Sequence, residues 1–104
     1  MADRKDNLNK VITSFLDEIQ KIISIDNAYL YGSFAKGTSN KWSDIDIAIV
    51  SSDFSDDLYD DRLALMRLAA TIDDRIEPRP FRRNLFNRND PLADEIQKNG
   101  IRLI

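Results

Sequence analysis

Two aspartates one residue apart, Asp44 and Asp46, stand at the head of a run that turns wholly apolar, Ile45-Asp46-Ile47-Ala48-Ile49-Val50. Side chains alternate faces along a strand, so both carboxylates project from one side while Ile45 and Ile47 point to the other. Carboxylates about 7 Å apart along a strand repel each other unless cations lie between them. A pair of magnesium ions, bridged by these carboxylates and by triphosphate oxygens, would relieve that repulsion and clamp an in-line phosphoryl transfer. Gly32-Ser33 precedes Asp44 by ten intervening residues. A glycine there lets backbone come close to phosphate oxygens. The N–H groups of Ser33 and Phe34, with the Ser33 hydroxyl, could hold the β- and γ-phosphates, especially where a helix begins. Lys36 and Lys41 are the nearby cations able to neutralise a triphosphate. An Asp-x-Asp on a strand is common, and most Gly-Ser pairs are ordinary turns. The specificity lies in the combination of strand, Gly-Ser, polar loop and Ser-Asp-x-Asp leading into an apolar strand. Gly32 to Thr38 has Walker A-like spacing but lacks the Lys after the second Gly, which argues against a P-loop NTPase.

Composition narrows the chemistry to the same groups. The 104 residues contain no cysteine and no histidine, which removes thiolate nucleophiles, disulfides, imidazole bases and His- or Cys-ligated metals. Carboxylates, Lys/Arg, hydroxyls and backbone remain, and they suit a hard cation and a phosphorylated substrate. A net charge of −3 gives no general attraction to nucleic acid, so no direct nucleic-acid binding is expected. The charge is uneven: seven aspartates and no Lys or Arg lie in 44–61, and five Arg against one Glu in 75–88. The polar N-terminus has no apolar signal-peptide core and no run spans a bilayer, so a cytoplasmic protein is expected.

The elements that must carry these residues follow from periodicity. Leu8, Val11, Ile12, Phe15, Leu16, Ile19, Ile22 and Ile23 predict an amphipathic helix over roughly residues 6–24. Ala28 to Tyr31 reads as a short strand ended by Gly32. Residues 32–43 form a loop with one helical turn after Ser33, and 44–50 are the clearest strand. A second amphipathic helix is predicted over 58–73, presenting Leu58, Tyr59, Leu63, Met66, Ala69, Ala70 and Ile72. A third strand follows at 75–79, where Pro78 and Pro80 confine it to an edge or end it early. Asp90-Pro91 opens a last helix that Gly100 stops, and Ile101 to Ile104 form a short strand or a docked tail. The order predicts a compact α/β (α+β) layer fold, with residues 1–104 as a single domain.

The run GSFAKGTSNKWSDIDIAIV resembles the G-S-x10-D-x-D signature of polymerase β-type nucleotidyltransferases, and in particular their minimal (MNT) members. The resemblance implies a small mixed sheet with helices packed mainly on one side. It implies that Asp44 and Asp46 ligate metal and that Gly32 and Ser33 contact the triphosphate of a donor such as ATP. It also implies a third carboxylate on a later strand, for which Glu77 is the best match. Asp73 and Asp74 compete but fall at a helix end. Many minimal members are antitoxins encoded beside a HEPN-domain ribonuclease toxin, and some transfer AMP to a tyrosine of that toxin. The resemblance thus implies a nucleotidyltransferase that forms an oligomer with its partner and adenylylates a HEPN toxin. The short chain agrees with a protein partner as acceptor and leaves no room for the second domain of an antibiotic-modifying relative.

The competing reading is an interaction module that neutralises its partner by binding, with a vestigial or regulatory nucleotide site. Retention of four motif residues, two of them mutually repelling, argues against full decay. The remaining features have plain explanations. The arginines of 75–88 could pair with the aspartates of 53–61 or bind phosphate, Arg79 lying two residues beyond Glu77 on the same face. Trp42 could stack on a base or, more usually, pack the loop onto the domain. Tyr29 and Tyr31 read as strand residues with wet hydroxyls, and Asp56-Asp57 and Asp60-Asp61 as helix N-terminal charge.

Overall fold

A computed structural model describes residues 4–40 and 42–104. Helix α1 (Arg4–Gln20) leads into strand β1 (Asn27–Tyr31), a single helical turn α2 (Ser33–Lys36) and strand β2 (Ile45–Ser51). Helix α3 (Leu58–Ala70), strand β3 (Ile76–Arg82), a 3₁₀ turn (Arg83–Leu85), helix α4 (Pro91–Asn99) and the short strand β4 (Ile101–Arg102) complete the order. The sheet is mixed, in the order β3-β2-β1-β4, with β2 parallel to β3 and β1 antiparallel to both β2 and β4.

Alternation along β2 divides the core in two. Ile45, Ile47 and Ile49 pack under α1 and α3 with Ile12, Phe15, Leu16, Ile19, Leu65 and Ala69. On the opposite face Ala48 and Val50 meet Phe81, Phe86, Ala93 and Ile96, so the short α4 and the turn before it cover that half. The two longer helices therefore share one side. Edge-on contact of Phe81 with Phe86, 5.0 Å between centroids, fixes the second cluster. No helix among the described residues is long and apolar enough to cross a membrane.

Several element ends differ from the periodicity. Helix α1 stops at Gln20, which leaves Ile22 73% exposed rather than on the apolar stripe. Helix α3 stops at Ala70, and its packed stripe is Leu58, Leu65, Leu68 and Ala69, with Ile72 packed from the turn beyond it. Tyr59 and Met66 face outward. The expected face had mixed two stripes, because Leu and Ala occur all round this helix. Strand β3 runs through both prolines to Arg82. The Arg75 carbonyl accepts from Ile45 N–H, so odd positions of β3 point toward β2 and even positions point away. Pro78 and Pro80 thus lack N–H groups only on the open edge, where none is needed.

Asp90 accepts from Leu92 and Ala93 N–H and starts α4, with Pro91 in its first turn. Gly100 ends it in extended backbone. A Cβ there would press on the carbonyls of Ile96 and Leu30, so this glycine serves close packing and not a left-handed cap. Ser51, the buried polar end of β2, donates its hydroxyl to Ser24 O at 2.6 Å and accepts from Asp53 N–H at 2.9 Å. Ser51→Ala removes two hydrogen bonds whose partners are on exposed residues, at a net cost of about 0.5–1.5 kcal/mol each. Urea denaturation is expected to show a lowered midpoint with an unchanged slope.

Candidate functional site

The carboxylates gather where the cover of α4 ends. Asp46 is on β2 with its side chain on the face of Ala48 and Val50, two positions before the apolar cluster begins. Its neighbour in the parallel register is Glu77 on β3, and its neighbour on β1 is Tyr31. Adjacent strands lie about 4.8 Å apart and directly opposed side chains share a face. Asp46, Glu77 and Tyr31 therefore stand in one row across three strands. Asp44 lies just outside the first residue of β2 and is exposed. It is close enough to raise the Asp46 pKa.

Asp46 is held above the ordinary carboxylate range, first by partial burial and then by the charges of Asp44 and Glu77, with Arg79 opposing. Two like charges act on Asp46 here, the electrostatic condition that a divalent cation relieves. Among the described residues no three acidic side chains converge tightly enough to enclose a metal by themselves. The donor set is all oxygen and open to solution, so it fits a hard cation that takes its remaining ligands from a phosphorylated substrate and water. Two arginines border the row. Arg62 of α3 reaches to 3.6 Å from Glu77, and Arg79 partly offsets the effect of burial on Tyr31, whose hydroxyl pKa is raised.

Gly32 follows β1 with φ +74°, in the left-handed region that favours glycine. A Cβ built on it would overlap the Asp46 carboxylate, so the glycine brings the loop backbone directly against that side chain. Ser33 opens α2, whose first turn has no side-chain cap. Lys36, exposed at the end of α2, lines a cavity of about 150 Å³ with Tyr31, Gly32, Leu92, Glu95 and Asn99, between α2 and α4. Lys41 lies outside the described residues. Gly32, Ser33, Asp44, Asp46 and Glu77 thus meet at one end of the β1-β2-β3 sheet, with Lys36 at its border.

The competing carboxylates are elsewhere. Asp73 is bound by Arg75 through two side-chain contacts of 2.8 and 3.1 Å, which hold its pKa below the usual range. Asp74 is exposed in the turn before β3. Of the basic segment, Arg82 pairs with Asp56 at 2.8 Å and Arg83 lies 3.8 Å from Asp26, in line with mutual pairing across the fold. Trp42 is 81% exposed. A larger cavity of about 670 Å³, lined by Leu8, Ile12, Leu30, Phe34, Arg75 and Leu103 among others, has none of Gly32, Ser33, Asp44, Asp46 and Glu77 in its wall. Periodicity missed Arg62, which lies between Leu58 and Leu65 on α3 and meets Glu77 on another element.

Comparisons with known proteins bear on the family and the fold. The chain is 38% identical over 71 residues to the protein adenylyltransferase MntA of Shewanella oneidensis, covering 68% of this chain and 48% of that protein. It therefore spans about half the length of this curated relative. In fold it is similar to a Sulfolobus solfataricus crystal structure provisionally assigned as a nucleotidyltransferase (TM-score 0.59, 19% identity, 90% of this chain and 75% of that one). It is also similar to a chain of a mutant MntA-HpeT toxin-antitoxin crystal structure (TM-score 0.58, 24% identity, 99% of this chain and 73% of that one). The match to the family described as polymerase beta, nucleotidyltransferase runs over residues 10–104; the chain belongs to the polymerase β nucleotidyltransferase family.

Proposed function

We propose that this domain transfers AMP from ATP to a hydroxyl of a partner protein, and that the modification neutralises a toxin. The observation that carries the reading is the row of Asp46 and Glu77 in strand register, with Gly32 against Asp46. In this reading Asp44, Asp46 and Glu77 hold two magnesium ions, which would lower the pKa of the attacking hydroxyl and neutralise charge on the departing pyrophosphate. Gly32 and Ser33 bind the β- and γ-phosphates by backbone N–H groups and hydroxyl, and Lys36 and Lys41 neutralise the tail. The acceptor oxygen bonds to the α-phosphorus as the bond to the bridging oxygen of pyrophosphate breaks. The acceptor proton passes to Glu77, the carboxylate placed at the edge strand where an incoming hydroxyl has access.

The relative named protein adenylyltransferase and the fold likeness to a toxin-antitoxin component support a protein acceptor. A tyrosine of a HEPN-domain toxin in the cytoplasm is the acceptor proposed. A non-catalytic antitoxin is favoured by one observation, the Arg62 side chain 3.6 Å from Glu77, which neutralises a proposed ligand. The two readings separate in one experiment. Purified protein, α-labelled ATP and magnesium are incubated with and without the product of the adjacent gene. Label on that partner, absent when EDTA is added, is expected. A partner that is bound and silenced with no label under any nucleotide would leave the binding module as the function.

A further inference from the structure

Arg62 is a partly exposed charge on α3 with one buried donor. It shares the sheet-facing stripe of α3 with Leu58, Leu65 and Ala69, and its guanidinium reaches Glu77 on the edge strand β3. The contact is incomplete on both counts that matter. The Nη2–Oε2 separation is 3.6 Å, beyond hydrogen-bond range. The Arg62 Nε is buried and, among the described residues, is the buried side-chain polar atom with no acceptor. Buried donors are almost always paired. Arg62 also lies near enough to Tyr31 to act on its hydroxyl, less strongly than Arg79 does, so its charge reaches Tyr31 and Glu77.

We propose that Arg62 is a positioning residue that makes metal binding conditional on the triphosphate. This rests on the reading of Asp44, Asp46 and Glu77 as metal ligands. In the free protein the guanidinium partly neutralises Glu77 and repels a bare divalent cation, so the carboxylates alone hold metal poorly. A triphosphate brings several negative charges and many acceptor oxygens, to which a planar five-donor guanidinium is well matched. The donor without a partner then gains one, and Glu77 is released to the metal. Metal and nucleotide thus bind with strong mutual dependence, each raising the affinity of the other equally. Arg79 sits in the same field and acts on both Tyr31 and Asp46, but it is exposed, whereas Arg62 carries a buried donor without an acceptor.

The test measures Mn²⁺ affinity of the full chain by the electron paramagnetic resonance of free Mn²⁺, alone and with a non-hydrolysable ATP analogue. Arg62→Met keeps the stem that packs on α3 and removes the charge; Arg62→Lys keeps a charge. Arg62→Met is expected to bind Mn²⁺ alone about five- to tenfold more tightly than wild type, the Coulomb effect of one unit charge on a nearby divalent ion. It is also expected to lose most of the gain that the analogue confers, with Arg62→Lys in between. Unchanged or weaker Mn²⁺ binding by Arg62→Met, with the Arg62→Lys protein folded and equal to wild type, would overturn the inference. Wild-type protein that binds no Mn²⁺ even with the analogue would remove the metal reading itself, and this inference with it.

Discussion

Asp46→Asn is expected to abolish nucleotidyl transfer while making the metal-free protein more stable. The row of carboxylates is a place where function and folding pull apart. With Asp44 and Glu77 acting on it and partial burial added, the Asp46 charge is disfavoured in the folded chain. Its raised pKa means that the folded state holds the proton more tightly than the unfolded state. The destabilisation is therefore present above the folded pKa and disappears as pH falls through it. Asparagine keeps the shape and removes the charge. Asp46 is only partly buried and solvent screens much of the repulsion, so the gain at neutral pH in EDTA is on the order of 0.5 kcal/mol. That corresponds to a melting-temperature rise of roughly 2–4 °C for a domain of this size. The gap from wild type should close in acid. Transfer should fall by on the order of 10²–10³-fold or more, as for removal of a main electrostatic stabiliser of the transition state. Paired calorimetry and label-transfer assays check both halves. A variant that is less stable and still active would show Asp46 to be a structural side chain.

The sequence was most legible where one period governs one element. Strand β2 announces itself by alternation followed by an apolar end, and the same alternation puts Asp46 on the open face and Ile45 and Ile47 in the core. Asp90-Pro91 marked α4 because a cap is a local device, set by a side chain two or three residues from the N–H groups it accepts. What was less legible depends on non-local neighbours. The outward turn of Tyr59 and Met66 follows from which side of α3 meets β3, and a helix apolar nearly all round does not specify that. Glu77 could be named as the third carboxylate only through resemblance; that it stands beside Asp46 is a matter of strand register, which the sequence around 75–79 does not determine. Arg62 was missed for the same reason, since its partner lies on another element.

Gly32→Ala carries the second large effect, and it arises from two physical causes at one position. The backbone there has φ +74°, where an L residue with a Cβ is strained by about 1 kcal/mol or more. The added methyl would also overlap the Asp46 carboxylate, and neither group can yield without loss. If the loop retreats, the Ser33 and Phe34 N–H groups leave the position from which they could reach phosphate. If Asp46 rotates away, the row with Glu77 is broken. The expected outcome is a loss of stability of roughly 2–3 kcal/mol, strain and overpacking together, and a transfer rate lowered at least about 10²-fold. Gly37→Ala is the matched control. It has the same positive φ, but a Cβ there meets nothing, so it should show the backbone strain alone and keep most of the activity. If the two alanine variants lose activity equally, the close approach of Gly32 to Asp46 has no special part in the chemistry. If only Gly32→Ala loses it, the glycine of the Gly-Ser pair is required for the space it leaves beside a carboxylate as well as for the turn it permits.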